Sequence, residues 1–261
     1  MRYISIASGS SGNCQFVEYK NTRILIDAGL SGKKIENNLK SRGIDPSTID
    51  AILVTHEHRD HVTSVGVLSR RYNIKVFSNI ETAQAMTPVV KKINSENIYI
   101  FENNRAFNFK DLKIKAFDTF HDCKKGCGFV IMGNKKISLL TDTGWVNSNA
   151  FESMKGSSLY YLESNHDVDM LLNGRYTWAS KKRIMSTKGH LSNENCAEVL
   201  EKLLSKNQEI VVLGHLSNEN NNPEIAAKTN EQYLNSKYII RDVDYTLDVA
   251  PRYEAGKVYD L

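Results

Sequence analysis

The chain has 261 residues, 41% of them apolar and 25% charged, with 34 Lys and Arg against 30 Asp and Glu for a formal net charge of +4. That is an ordinary globular composition, long enough to bury a full core in one or at most two domains. No apolar run exceeds four residues, against the ~20 of a membrane-spanning helix, and the opening MRYISIASGSSG lacks an apolar signal stretch, so a cytoplasmic protein is expected.

Taken in chain order, residues 3–7 read as a strand that runs into the turn-rich SGSSGN. Residues 16–19 and 23–27 flank Lys20-Asn21-Thr22 as a hairpin. A helix is expected over 33–41, then a turn at DPSTID and a short buried strand at 51–55. Beyond His61 the spacing of Val62, Val65, Leu68 and Tyr72 predicts a helix, followed by a strand over 75–77. Residues 98–119 read as several strands, and 129–132 with 137–141 as a hairpin about Gly133-Asn134. Further strands are expected at 159–162 and 210–213, with helices after Ser192 and after Pro223. No linker interrupts the chain, so 1–261 reads as one α/β domain of sheets covered by helices.

The mild positive charge permits a polyanionic partner without demanding one. Most basic residues are scattered; Arg59, Lys124, Lys125 and the Lys181–Arg183 triplet lie nearest the motifs below. The cysteines, Cys14, Cys123, Cys127 and Cys196, are expected as free thiols. The heptad GHLSNEN occurs at 189–195 and again at 214–220, each a loop His followed by a Ser N-cap and a Glu in the first helical turn.

All seven histidines stand beside Asp, Glu, Asn or Gly at expected strand ends. The densest group is THEHRDH, residues 55–61. Three imidazoles and a carboxylate so close together repel and desolvate badly unless a cation joins them, and neutral imidazole with carboxylate is a natural donor set for a divalent metal. Without a Cys in the set, Zn, Mn and Fe suit it alike.

This HxHxDH pattern resembles the signature of the metallo-β-lactamase-fold superfamily, an αββα sandwich with two metal ions at the sheet edges. The rest of that pattern follows in order: Asp27 in ILIDAG, His121 in TFHDC, Asp142 in LLTDTG and His215 in VVLGH. The resemblance implies that His56, His58 and His121 hold one ion and Asp60, His61 and His215 the other. Asp142 would bridge them, and Asp27 would orient the motif. In nuclease branches of the superfamily an acidic residue and a non-ligand His act on the leaving group, and Glu163 and His190 resemble that pair. His166 is a candidate substrate contact. Ser10, Ser11 and Asn13 resemble a glycine-rich turn that touches phosphate.

The combination of SGSSGNC, THEHRDH, ESNHD, GHLSNE and HLSNENN is most similar to the YycJ/WalJ/VicX group of bacterial metallohydrolases, which lack the β-CASP insert. The resemblance implies a dinuclear metal-dependent phosphodiesterase with two divalent ions. It implies a 5′-to-3′ exonuclease on duplex DNA; the absence of a long apolar run argues against a membrane, and no obligate protein partner is inferred. The alternative on the same scaffold is a small-molecule hydrolase: a cyclic phosphodiesterase, thioesterase or lactonase. A non-catalytic scaffold protein has no use for a complete ligand set.

Overall fold

A computed structural model describes all of residues 1–261. Strands β1 (Arg2–Ala7), β2 (Cys14–Tyr19) and β3 (Thr22–Ile26) form an antiparallel meander. Tyr19 pairs with Thr22 across the expected hairpin, whose turn residue Lys20 has φ 51°. Helix α1 (Gly32–Ser41) leads to β4 (Ala51–Leu53). Helices α2 (Arg59–Val62) and α3 (Val65–Tyr72) lead to β5 (Lys75–Ser78), and α4 (Ile80–Val90) to β6 (Ile98–Ile100). Strands β3 to β6 run parallel.

The second sheet starts with β7 (Ala106–Phe109), β8 (Leu112–Asp118), β9 (Cys127–Met132) and β10 (Lys136–Leu140), all antiparallel neighbours. Helix α5 (Ser148–Met154) crosses to β11 (Leu159–Glu163). Helices α6 (Val168–Asn173), α7 (Trp178–Ile184) and α8 (Asn193–Leu203) precede β12 (Glu209–Gly214), and α9 (Pro223–Ser236) precedes β13 (Tyr245–Val249). Strands β10 to β13 run parallel. The last strand, β14 (Val258–Asp260), returns to pair with β1, so each sheet has seven strands.

Side chains alternate along the strands and sort into three apolar layers. Ile24, Leu53 and Phe77 of the first sheet meet Ile114, Phe129 and Leu139 of the second between the sheets. Leu25, Ile52 and Val76 point the other way, against Ile35, Leu39, Val65 and Leu68 of the flanking helices. Leu140, Leu162 and Leu213 pack outward against Cys196, Leu200 and Leu234. This is the expected αββα sandwich.

Several elements differ from the sequence reading. Helix α4 contains Pro88, a signal against helix in the sequence. Helices α5, α6 and α7 and strands β13 and β14 are short or weakly patterned. At the Gly133-Asn134 hairpin neither residue takes a positive φ. The loop there has three residues rather than two, since Met132 pairs with Lys136. All four cysteines are free, Cys123 being half-buried and the others buried. No helix is long and apolar enough to cross a membrane.

The site follows from strand direction. The parallel strands β3 and β4, and β10, β11 and β12, all end at one edge of the sandwich, and β8, antiparallel to β9, ends there too. Asp27, His56, His121, Asp142 and His215 each lie one to three residues beyond such an end, and Glu163 is the last residue of β11.

Candidate metal centre

His56 and His58 leave β4 on a short loop, and α2 presents Asp60 and His61 within its only full turn. The rings of His56 and His58 lie 4.6 Å apart between centroids, with His121 5.1 Å from His58 and 5.4 Å from His56. Donor atoms of these three lie within 4.8 Å of one another, as do those of Asp60, His61 and His215. Asp142 stands between the two groups. Its Oδ1 is 3.6 Å from His121 Nε2 and 3.6 Å from His215 Nε2, and its Oδ2 is 3.1 Å from His61 Nε2. The structure therefore brings all seven expected ligands together, in overlapping groups that include the two the resemblance implies.

The residues fit a divalent cation on a separate ground. His56 Nε2, Asp142 Oδ2 and His215 Nε2 are buried and have no hydrogen-bond partner. Each such orphan costs about 1–3 kcal/mol, and all three belong to these clusters, where a cation supplies the missing partner. Burial holds His56 well below its ordinary pKa, in the neutral form that ligates. Burial also opposes charge on His61 and His215, but the neighbouring carboxylates prevail: His61 is raised well above its ordinary pKa and His215 to about 10. Burial opposes ionisation of Asp142 too, yet His215 and His61 keep it well below the usual carboxylate range.

Asp27 orients His61. Its Oδ2 accepts from His61 Nδ1 at 2.7 Å and from Thr55 Oγ1 at 2.8 Å, and its Oδ1 accepts from Thr55 N at 2.9 Å. That fixes the tautomer in which His61 Nε2 faces the cluster. Asp27, Asp142 and His215 all have left-handed backbone, with φ of 62°, 54° and 54°. Asp and His tolerate that region better than most residues. Non-glycine residues in it collect where surrounding structure over-determines them, often at functional sites.

Glu163 is completely buried and does more than the sequence suggests. Its Oε1 accepts from His190 Nδ1 at 2.7 Å and from His215 Nδ1 at 2.8 Å. One carboxylate thus orients both His215, expected as a ligand, and His190, expected not to be one, although the donor atoms of Asp142, Glu163, His190 and His215 also lie within 4.8 Å of one another. Burial opposes its ionisation, but the two histidines hold it down to about 2. In turn Glu163 overrides burial and raises the pKa of His190.

A polar cavity of about 400 Å³ opens over the clusters, lined by His58, Asp60, His121, Asp142, His190 and His215. Ser10 also lines it. Ser11 is exposed and its hydroxyl meets that of Tyr253. Three expected contacts are buried and do not line the cavity. Asn13 is buried and serves the scaffold: its Oδ1 accepts from Gly9 N at 2.9 Å and its Nδ2 lies 3.0 Å from His61 Nε2. His166 is buried beside Ser192 and is not among the residues that line the cavity. Lys181 is also buried, with Nζ donating to Leu172 O at 2.7 Å, which removes it from the basic surface. Arg183, Asn165 and Ser217, which belong to the basic triplet and to the ESNHD and GHLSNEN motifs, also line the cavity, and Tyr176, Ser180 and Ile184 do so without a sequence signal to mark them.

Comparison with known proteins agrees with this geometry. Residues 22–216 match the family described as beta-lactamase superfamily domain. The chain belongs to the metallo-β-lactamase-fold superfamily. Within the superfamily it is 40% identical over 254 residues to exodeoxyribonuclease WalJ of Streptococcus pneumoniae (serotype 2, strain D39), covering 96% of this chain and 94% of that one. It is 36% identical over 238 residues to exodeoxyribonuclease YycJ of Bacillus anthracis, covering 91% and 90%. Among solved metallo-β-lactamase folds, YhfI of Bacillus subtilis superposes with a TM-score of 0.73 at 12% identity over the whole of both chains. The short form of human tRNase Z does so with a TM-score of 0.67 at 14% identity, again over the whole of both chains.

Proposed function

We propose that this chain is a dinuclear metal-dependent phosphodiesterase that degrades DNA as an exonuclease, with the whole of 1–261 forming one catalytic domain without a β-CASP insert. The observation that carries the reading is the Glu163–His190 pair, which holds an imidazole against a buried carboxylate beside the ligand clusters in a polar cavity. The two relatives named exodeoxyribonuclease, aligned over nearly the full chain, support DNA as the substrate. Degradation of duplex DNA in the 5′-to-3′ direction is the polarity implied by resemblance to their group.

His56, His58 and His121 would hold one ion, Asp60, His61 and His215 the other, with Asp142 shared. Zn, Mn and Fe all suit these donors. When bound, such ions act as Lewis acids on the phosphoryl oxygens and lower the pKa of water to about 7. His190 supplies the proton. Its Nδ1 is tied to Glu163, so Nε2 is the atom that gives a proton to the leaving oxygen. An alkoxide is a poor leaving group and needs that proton. Asp27 keeps His61 in the ligating tautomer, and Ser10, which lines the cavity, would face the phosphate.

The test is degradation of end-labelled linear DNA and of a covalently closed circle by protein supplied with Mn or Zn. Linear DNA should be shortened from its 5′ ends, the circle should resist, and Asp142→Asn should be inactive. The nuclease reading fails if no DNA is degraded while a cyclic phosphodiester or a thioester is turned over readily.

A further inference from the structure

Helix α7 separates two unlike surfaces. At ~100° per residue, Ser180, Arg183 and Ile184 share the face that lines the cavity, joined by Tyr176 just before the helix. Trp178, Lys182 and Met185 fall on the opposite side. Trp178 is 59% exposed, Met185 is exposed, and Lys182 Nζ sits 5.6 Å from the Trp178 ring centroid. The helix is held firmly for its length. Lys181 ties it to Leu172, Arg183 pairs with Asp122 next to His121, and Ile184 O accepts from His190 N at 2.9 Å. The chain's only other tryptophan, Trp145, is also exposed. It stacks edge-on against Phe120, three residues beyond Asp142. Gly144 beside it packs so closely on the turn after α7 that a Cβ would lie 2.1 Å from Ser186 O.

The charge on this segment points to a polyanion. Residues 174–190 contain Arg175, Lys181, Lys182, Arg183 and Lys188 and no Asp or Glu. Lys182 and Lys188 make no ion pair within the chain. An exposed aromatic ring beside unpaired lysines is the combination that binds single-stranded nucleic acid, by base stacking and backbone attraction.

The geometry points to α7 as a strand-parting ridge: one strand of a DNA end enters the cavity past Tyr176, Ser180 and Arg183, while the other crosses the outer face and stacks a base on Trp178 beside Lys182. This rests on the nuclease reading above. A cavity of about 400 Å³ is the size of a small-molecule pocket. The cavity lining lies on one side of α7, and Trp178 with Lys182 lies on the other. A duplex end seated at the cavity would meet the helix between its two strands, and a fixed ridge with a stacking platform on its far side would lower the cost of opening the terminal pairs. Trp178 is a positioning residue in this scheme, and it takes no part in the chemistry.

The test uses the metal-supplied full chain with Trp178→Ala and Met185→Ala combined, against Trp178→Phe as the conservative control. The rate on a blunt duplex should fall at least about fivefold. The rates on the same strand alone and on a nitrophenyl phosphodiester should stay within about twofold, and the Phe variant should keep most of the duplex rate. A second readout needs no turnover. In an Asp142→Asn background, a 2-aminopurine in the terminal pair should brighten on binding, and should brighten less when Trp178 and Met185 are removed. An unchanged ratio of duplex to single-strand rate, or an undiminished aminopurine signal, overturns the ridge and leaves the nuclease standing. Failure of the unaltered protein to cleave any DNA overturns both.

Discussion

Asp27→Asn tests whether the site depends on a residue that does not face the cavity. The substitution conserves shape and tolerates the left-handed backbone at φ 62°. It changes one oxygen to an amide donor. If that NH2 replaces Oδ2, it meets two donors, His61 Nδ1–H and Thr55 Oγ1–H. His61 can then relax only by moving its proton to Nε2, the atom aimed at Asp142 and Asp60. If the amide flips, the NH2 meets Thr55 N–H instead. Either way one buried, charge-assisted hydrogen bond is lost, which costs about 1.5–3 kcal/mol. Removing such an outer partner weakens metal binding by about 10–100-fold, which matches that energy. Competition with a chelating dye should show this loss for one ion of two, that of the Asp60, His61 and His215 cluster. The metal-free protein should melt about 4–8 °C lower. Two affinities within about twofold of the unaltered protein's would mean that Asp27 does not set the tautomer, and the orienting argument would be wrong.

Other expectations follow from the same contacts. Glu163→Gln removes the carboxylate that raises the pKa of His190, so the proton donor should empty at lower pH and the alkaline limb of kcat/KM on DNA should move down; an unmoved limb argues for another acid. Gly29→Ala places a Cβ 1.6 Å from Asp60 O, so α2, which carries the proposed ligands Asp60 and His61, must shift. It should destabilise by about 3 kcal/mol and lower metal content, and a variant with normal melting and metal would contradict the packing. His166 is buried, which lowers its pKa to about 4 from an ordinary 6.5. The folded state favours the neutral ring, so this contribution is complete above about pH 6.5 and is lost as the pH falls toward 4, some ~3 kcal/mol in all. His166→Gln should flatten acid unfolding across that window, as urea melts at several pH values would show. Binding of duplex DNA should weaken with salt, and reversing Lys182 and Lys188 together should reduce the log–log slope by about 2; an unaltered slope places the phosphates elsewhere.

The parts of the site legible in the sequence are those that chemistry compresses into a few residues. Four ligands sit in six positions from His56 to His61, and no common structural role accounts for such a density. The remaining expected ligands are legible through the family pattern; Asp142 and His215 also stand just past apolar runs that mark strand ends, whereas His121 follows the mixed AFDTF. What could not be read depends on contacts across the fold. The second hydrogen bond of Glu163, to His215, needs β11 and β12 to lie side by side. Lys181 looks like its basic neighbours until the helix turn buries it against Leu172. Asn13 belongs to a turn that would suit a phosphate, yet its side chain folds inward to Gly9 and His61. Helix α4 was hidden by Pro88.

The left-handed backbone shared by Asp27, Asp142 and His215 bears on how such a site can decay. At those three positions Asn and Gly keep the chain path, whereas a β-branched residue would force the loop to move. A lineage released from selection for catalysis could exchange Asp142 or Asp27 for Asn or Gly and retain a folded sandwich. Val or Ile at the same places would be removed by misfolding first. Inactive descendants of this fold should therefore be recognisable by Asn and Gly at their old strand ends, with the surrounding packing intact.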